Sequence, residues 1–145
     1  MRRLALVSGS LLLLLLFAGC EDRSYREIGA QINGLTKPGE TPPSEAIAQL
    51  ARIGRRAVPQ IETALHTASP RGKSNLIKAL DAIGEPEAAP IVQHFAVYDA
   101  SPEVRAECED MLNRWAASGD RRAEPARLAL QKVAAKRAKG EGPEL

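Results

Sequence analysis

A phrase in which a hydroxyl residue precedes proline recurs along the chain, and this repetition constrains the fold more than any other feature. Ser69 and Ser101, each followed by proline, lie 32 residues apart, and Thr41, also followed by proline, comes 28 residues before Ser69. A hydroxyl side chain can cap a helix, and the missing proline N–H costs nothing at the first helical position. Each phrase therefore predicts the start of a helix.

Each of these helices is predicted to end at a glycine. Gly54, Gly84 and Gly119 follow the three apolar stretches, where a left-handed residue commonly ends a helix. The repeated stretch is therefore a helix of defined start and stop.

A second helix is predicted behind every glycine. It begins with alanine, any residue and proline, and an apolar stretch follows. The three prolines are Pro59, Pro90 and Pro125. The unit is thus a helix pair, at about 41–67, 68–99 and 100–135. Helix pairs with a period of roughly 30 to 33 residues indicate a solenoid, in which each unit buries its apolar face against its neighbours.

These motifs resemble the short HEAT-like repeats of many bacterial proteins. "L-x-x-I-G" closes the first helix and "A-x-P" opens the second, over about 41–135. The resemblance implies an all-α fold: a short right-handed α-solenoid of about three helix pairs, with the second helices lining the concave side. Lys73 and Arg105 fall where such repeats often carry a basic residue. The third repeat departs, since "WAASG" replaces "IG" and Glu124 replaces an apolar residue, which suits a terminal cap.

The first twenty residues have the pattern of a bacterial lipoprotein leader. Two arginines precede an apolar run from Leu4 to Phe17, and "FAGC" ends at Cys20. The run is short of the roughly 20 apolar residues that span a bilayer. Its end resembles a lipobox, which implies removal of residues 1–19 and attachment of lipid, palmitate included, to Cys20. An ordinary secretory signal that happens to end in cysteine is the alternative.

The leader implies a location. The mature chain is expected outside the cytoplasm, held on a bacterial membrane by the lipid on Cys20. In diderm bacteria, aspartate after the lipidated cysteine is the stronger inner-membrane retention signal, so Glu21 slightly favours the outer membrane on its periplasmic side.

The segments that flank the repeats are interpreted as tethers. Residues 20–40 are predicted to form a tether with a short helix at about 25–33, which a capping box at Ser24 starts and Gly34 ends. A disordered tether of this length would give about 25 Å of reach. Residues 136–145 are interpreted as a flexible tail.

Charge and motifs exclude several classes of function. Removal of the leader arginines leaves 18 basic and 18 acidic residues, a formal net charge of zero. Nucleic-acid binding needs a basic face, so no nucleic acid is expected as a partner. No HExxH, Walker, GxSxG or paired-cysteine metal motif occurs, so we expect no enzyme, no cofactor and no metal. Cys108 stands among acidic residues, which disfavour a reactive thiolate, and we expect it in the core.

The second helices carry four candidate partner-binding residues: Thr63, His66, Gln93 and His94. Alignment on the prolines places His94 level with Thr63, one turn before His66, so the histidines could face one groove. A metal would need a third ligand such as Glu62, and we interpret both histidines instead as ordinary polar surface residues. The strip lacks aromatic residues, which favours a protein or peptide contact over a stacking platform. It is also predicted to include Val97, Leu128, Gln131 and Lys132.

Arginines cluster at two of the predicted turns between paired helices. Arg55 and Arg56 lie at the first turn and Arg121 and Arg122 at the third, which stacking would place along one edge. Two glutamates interrupt this line at the second turn. Such an edge could bind phospholipid head groups or an acidic partner. Alternatively, the charges only keep the turns soluble.

These observations predict a membrane-anchored scaffold or adaptor that binds an unidentified protein of the bacterial envelope. Repeat solenoids offer extended surface rather than a catalytic pocket. A structural subunit of an envelope complex is an alternative that sequence does not separate from an adaptor. A lipid-head-group binder rests on the arginine edge alone. An enzyme is disfavoured, since the chromophore lyases and DNA-repair enzymes among HEAT-like proteins act on substrates absent outside the cytoplasm.

Overall fold

The computed structural model describes residues 23–37 and 42–143, and every regular element within them is helical. The predicted leader and Cys20 lie outside these residues. None of the helices in the described ranges is both long and apolar enough to cross a membrane. Helix α1 spans residues 23–36. The later helices are α2 (Pro43–Ile53), α3 (Val58–Leu65), α4 (Pro70–Ile83), α5 (Ala88–Tyr98), α6 (Pro102–Ala117) and α7 (Ala123–Ala138), with a 3-10 turn at Gly54–Ala57.

Serine caps start the first helices of the second and third repeats, as predicted. The hydroxyls of Ser69 and Ser101 each accept a hydrogen bond at 3.3 Å from the backbone N–H three residues later. Both serines have extended backbone and precede a proline at the start of the helix. The first repeat differs. Thr41 lies outside the described residues, and Pro42 stands at the N-cap of α2 without a side-chain capping bond.

Glycines of positive φ follow the first helices, which confirms the predicted stops. Gly84 ends α4 in the left-handed conformation, with φ 69° and ψ 21°, and its N–H donates to the Leu80 carbonyl at 3.0 Å. Glycine adopts this conformation without the cost that a Cβ brings. Gly54 and Gly119, with φ of 70° and 72°, take the corresponding places after α2 and α6.

Each second helix carries its predicted proline in the first turn. Pro59 is the second residue of α3, and Pro90 and Pro125 are the third residues of α5 and α7. No side chain caps these three starts. Proline suits the first turn because N–H groups there have no partner within the helix.

The helices pack in two layers around one apolar core. The first helices α2, α4 and α6 contact one another in order, and α5 contacts α7 in the second layer. Contacts of α3 with α4 and of α5 with α6 join successive repeats. The core is mainly aliphatic, in keeping with an aromatic content of only 3%, and Trp115 is its largest fully buried side chain. The predicted all-α fold, a short α-solenoid of helix pairs, is confirmed.

Helix α1 is docked on the first repeats. Its apolar residues Ile28, Ile32 and Leu35, spaced at helical intervals, are all buried. The side-chain amide of Asn75 on α4 donates to the Leu35 carbonyl at 3.0 Å. The N-terminal helix is thus part of the folded unit, and it covers the apolar surface that the first repeat would otherwise expose.

This helix is also longer than the predicted range of 25–33. It already includes Ser24, so this residue lies within the helix and not at its cap. It continues through Gly34 to residue 36, because burial of Leu35 stabilises the last turn. Gly34 faces α2, where an added Cβ would lie 3.8 Å from the Ala46 Cβ.

At the other end of the chain, α7 runs to Ala138, past the predicted tail boundary at residue 136. Lys136 donates hydrogen bonds to the Tyr98 hydroxyl and to Glu141, both at 2.7 Å. The Tyr98 hydroxyl also donates to Glu141. The folded unit therefore extends beyond the predicted boundary, because these contacts tie residues as far as Glu141 to α5.

Candidate functional site

A groove of about 590 Å³ lies between α3 and α5 in the layer of second helices. Apolar residues form much of its wall, and carboxylates and imidazoles lie among them. The lining residues are Val58, Pro59, Glu62, His66, Glu87, Pro90, Ile91, His94 and Phe95. Because both prolines belong to the repeated motif, the pattern that starts the second helices also builds this surface.

Four rings cluster at one part of the groove. The ring centroids of His66 and His94 are 6.0 Å apart. Phe95 lies 5.2 Å from His66 and 5.4 Å from His94, and Tyr98 lies 5.1 Å from His94. The two histidines therefore share one groove, as alignment of the repeats predicted. The expectation that this strip lacks aromatic residues is wrong, because α5 brings Phe95 and Tyr98 beside His94.

The other predicted residues of the strip divide between surface and core. Thr63 is exposed, and its hydroxyl donates to the Pro59 carbonyl at 3.0 Å. Gln93 is half-buried. Val97, predicted to be exposed, is buried, because α6 and α7 both pack on α5. Three further residues, on α7, are exposed: Leu128, Gln131 and Lys132.

Within the described parts of the chain, no three or more His, Cys, Asp or Glu residues are placed to hold a metal ion. The two histidines alone supply fewer ligands than a structural or catalytic zinc site requires. The groove walls offer apolar surface, aromatic rings and hydrogen-bonding side chains.

A second cavity, of about 190 Å³, adjoins the histidines at the carboxyl end of α5. Lys73 donates to Asp99 there at 2.5 Å, and the side chains are 17% and 2% exposed. Asp99 also accepts from the Ser101 N–H at 2.9 Å, and Arg105 donates to the Asp99 carbonyl at 2.6 Å. The two basic positions of the repeat motif thus hold the turn after α5. Sequence reasoning noted both, without Asp99 as their common partner.

The arginine edge is a line of ion pairs between repeats. Arg55 pairs with Glu87 at 2.8 Å, and Arg121 pairs with Glu85 at 2.9 Å. The two glutamates that seemed to interrupt the basic line therefore neutralise part of it. Arg56 is exposed. The edge is therefore less basic, and less continuous as a basic surface, than the sequence predicts.

Arg122 forms a local cluster at the third turn. It pairs with Asp120 at 2.6 Å, and its guanidinium lies 5.3 Å from the centroid of the Trp115 ring. Its hydrogen bonds hold the pKa of the Asp120 carboxyl well below its usual range. The Trp115 N–H and Arg114 both donate to Asp81, at 2.7 and 2.6 Å. These contacts join α6 to α4, which gives this end of the edge a structural role.

Cys108 is fully buried, as predicted. Burial raises the pKa of its thiol, and the neighbouring carboxylates, Asp99 foremost, act in the same direction. The thiolate that nucleophilic chemistry needs is therefore disfavoured.

The described residues form a short helical-repeat module with a groove between α3 and α5. The family model for HEAT repeats matches residues 32–113, more than half of the chain, and the chain belongs to this family. HEAT repeats generally mediate protein–protein interaction and are typically non-catalytic scaffolds. No curated protein and no solved structure matches the chain. The match ends within α6, in the repeat whose motif departs from the pattern.

Proposed function

We propose that this chain is a lipid-anchored adaptor of the bacterial envelope, and that its groove between α3 and α5 binds a segment of a partner protein. The observation that carries the proposal is the exposed ring cluster of His66 and His94 within a groove of about 590 Å³. Ligand pockets commonly have volumes of about 300–1,000 Å³. Their lining is mostly apolar with a few polar groups, as in this groove.

The identity of the groove residues favours a peptide segment over a charged polymer. Pro59, Pro90 and Ile91 supply apolar surface, and Glu62 supplies a carboxylate. Imidazole and amide groups nearby can donate and accept hydrogen bonds. A nucleic acid would meet carboxylates where it needs cations.

The anchor is the second part of the proposal, and the leader supports it. The apolar run and "FAGC" are the features of a lipidated secretory signal, with Cys20 as the lipidated residue. A lipid on this residue would hold the module at a membrane without a spanning helix. In a diderm host, Glu21 favours the outer membrane.

The groove is tested by purification of the full-length chain from its native host in detergent. We expect one envelope protein to co-purify with the wild type and to be lost with His66→Ala/His94→Ala. The matched control is Asp110→Ala/Asn113→Ala, two exposed polar residues on α6. Equal recovery of that protein with both variants would mean that the groove is not the binding face.

The anchor is tested by Cys20→Ser, with Cys108→Ser as the matched control. We expect Cys20→Ser to lose palmitate labelling and to leave the membrane fraction, while Cys108→Ser keeps both. If the Cys20→Ser protein still partitions with membranes, the lipid anchor is wrong.

A purely structural subunit is the second candidate, favoured by the ion pairs between repeats that engage Arg55 and Arg121, two of the candidate partner-binding residues. Deletion of the gene distinguishes the two roles. A structural subunit lowers the abundance of the complex to which it belongs, whereas an adaptor changes the activity or recruitment of its partner at constant abundance.

A further inference from the structure

We propose that one end of the helical stack docks on an anionic lipid surface, through exposed residues beside the anchor. This anchor-side surface consists of Arg23, Tyr25, Arg52 and Arg56. The proposal rests on the lipidation of Cys20 proposed above and goes further, because it assigns the orientation of the module on the membrane.

The short distance along the chain from the anchor to the folded unit supports this orientation. The described part of α1 begins at Arg23, three residues after Cys20. Three residues span at most about 10 Å in any conformation, since an extended chain advances roughly 3.3–3.6 Å per residue. A tether of twenty disordered residues would have allowed about 25 Å. The amino end of α1 must therefore lie close to the lipid.

The fold brings the first inter-helix turn to this same end. The carboxyl half of α1 meets the amino end of α2, where Gly34 faces Ala46. The amino half of α1 instead lies beside the start of α3, where an added Cβ at Gly29 would be 3.9 Å from the Gln60 side chain. Because α3 follows the carboxyl end of α2 after one short turn, α1 and α2 run in roughly opposite directions. The side-chain amide of Gln60 on α3 donates to the Tyr25 carbonyl at 3.4 Å, which fixes α3 at the same place.

The side chains at this end suit an anionic interface. Arg52 belongs to the last turn of α2, Arg56 to the 3-10 turn, and both are exposed. Among the described residues, neither forms an ion pair, whereas Arg55 in the same turn pairs with Glu87. Guanidinium groups bind phosphate through paired hydrogen bonds.

Tyr25 adds an interfacial aromatic residue. Its side chain is 65% exposed, although α1 buries its apolar face. Tyrosine is enriched where a membrane meets water, because its ring is apolar and its hydroxyl is polar. Glu27, also exposed on α1, opposes the positive charge in part. Docking in this orientation would place His66, at the carboxyl end of α3, away from the lipid and accessible to a partner.

The test uses the full lipidated protein in vesicles that contain nitroxide-labelled lipid. An environment-sensitive dye is attached at Glu27→Cys on α1, or at Glu103→Cys, an exposed position in the first turn of α6 at the opposite end. Burial of Cys108 restricts labelling to the introduced cysteine. We expect the dye at position 27 to be quenched in phosphatidylcholine–phosphatidylglycerol vesicles and the dye at position 103 to be little affected.

Charge reversal then tests the arginines. An arginine near an anionic surface favours binding by roughly fivefold, so the loss of two lowers the ratio of docked to undocked protein by about 25-fold. We expect Arg52→Glu/Arg56→Glu to abolish quenching at position 27 while the protein still floats with the vesicles. Arg71→Glu/Lys132→Glu makes the same change of charge on exposed residues elsewhere and should leave the quenching intact.

The outcomes separate this proposal from the anchor. Protein that floats with the vesicles but shows equal quenching at both positions retains its anchor and refutes the docking. Quenching at position 27 that is unchanged in pure phosphatidylcholine or by the Arg52→Glu/Arg56→Glu change refutes the role of charge, and with it the proposed surface. Protein that fails to float has no lipid anchor, which overturns both proposals.

Discussion

The buried ion pair between Lys73 and Asp99 provides a quantitative test of how the repeats are held together. Lys73→Met keeps the length of the side chain and removes its charge. Asp99, whose side chain is 2% exposed, then retains the Ser101 N–H and loses its cation. Removal of one partner from a buried pair costs about 3–5 kcal/mol. Because Lys73 itself is 17% exposed and water can reach that side, we expect about 3 kcal/mol.

The assay is urea unfolding at neutral pH, with the free energy of unfolding obtained by linear extrapolation. Lys78→Met is the matched control, because Lys78 is 57% exposed and lies 3.6 Å from Glu107. An exposed pair of this kind contributes only about 0–1 kcal/mol. Asp99→Asn in the Lys73→Met background should recover about 1 kcal/mol or more, because the neutral amide oxygen still accepts from the backbone and no unpaired charge remains. Equal effects of Lys73→Met and Lys78→Met would refute this reasoning.

Three further predictions concern the caps, the tail and the thiol. Gly84→Val should lower the free energy of unfolding by about 2 kcal/mol, because valine is strained in the left-handed conformation. The control Gly29→Ala, within helix α1, should raise it by about 0.5–1 kcal/mol. Equal effects of the two substitutions in denaturant melts would contradict the role of the left-handed conformation at Gly84. Hydrogen bonds from Lys136 and Tyr98 lower the pKa of Glu141, so the tail contact is complete above the usual glutamate pKa of about 4.3 and is lost as pH falls through the lower folded value. NMR signals of the Tyr98 ring should follow that change, and Glu141→Gln should remove it. A thiol reagent should modify Cys108 only as fast as the protein unfolds, and rapid reaction of the folded protein would contradict its burial.

The helix pairs could be predicted from sequence because their signals are local. Ser69 and Ser101 act on the backbone three residues away, and Gly84 acts through its own dihedral angles. Repetition of the same motif then fixed which helices are equivalent. That equivalence also predicted that His66 and His94 would share a groove.

The remaining features depend on how far one repeat is offset from the next, which local patterns do not specify. In the sequence, Glu85 and Glu87 interrupt a basic edge, whereas in the structure each pairs with an arginine one repeat away. The helical spacing predicts an exposed Val97, but α6 and α7 both pack against α5 and bury this residue. Pairing residues at matching turns of adjacent repeats could have revealed the ion pairs.

The tail and the N-terminal helix illustrate a second limit. Gly34 and the charged residues after 135 resemble helix ends when read locally. Burial of Leu35 continues α1 past Gly34, and the contacts of Glu141 with α5 and α7 hold the residues that follow 135 against the fold. Tertiary contacts thus override the local preference at each end of the solenoid.

The central claim is that the groove between α3 and α5 is the face that binds a partner protein. Site-specific photo-crosslinking in the native host tests it most directly. A photoreactive residue is placed at Thr63, exposed beside the groove, and at Ala106, exposed on α6 in the other helix layer. We predict one dominant crosslinked envelope protein from position 63 and none of that protein from position 106. The same protein captured equally from both positions, or no specific protein from position 63, would contradict the account.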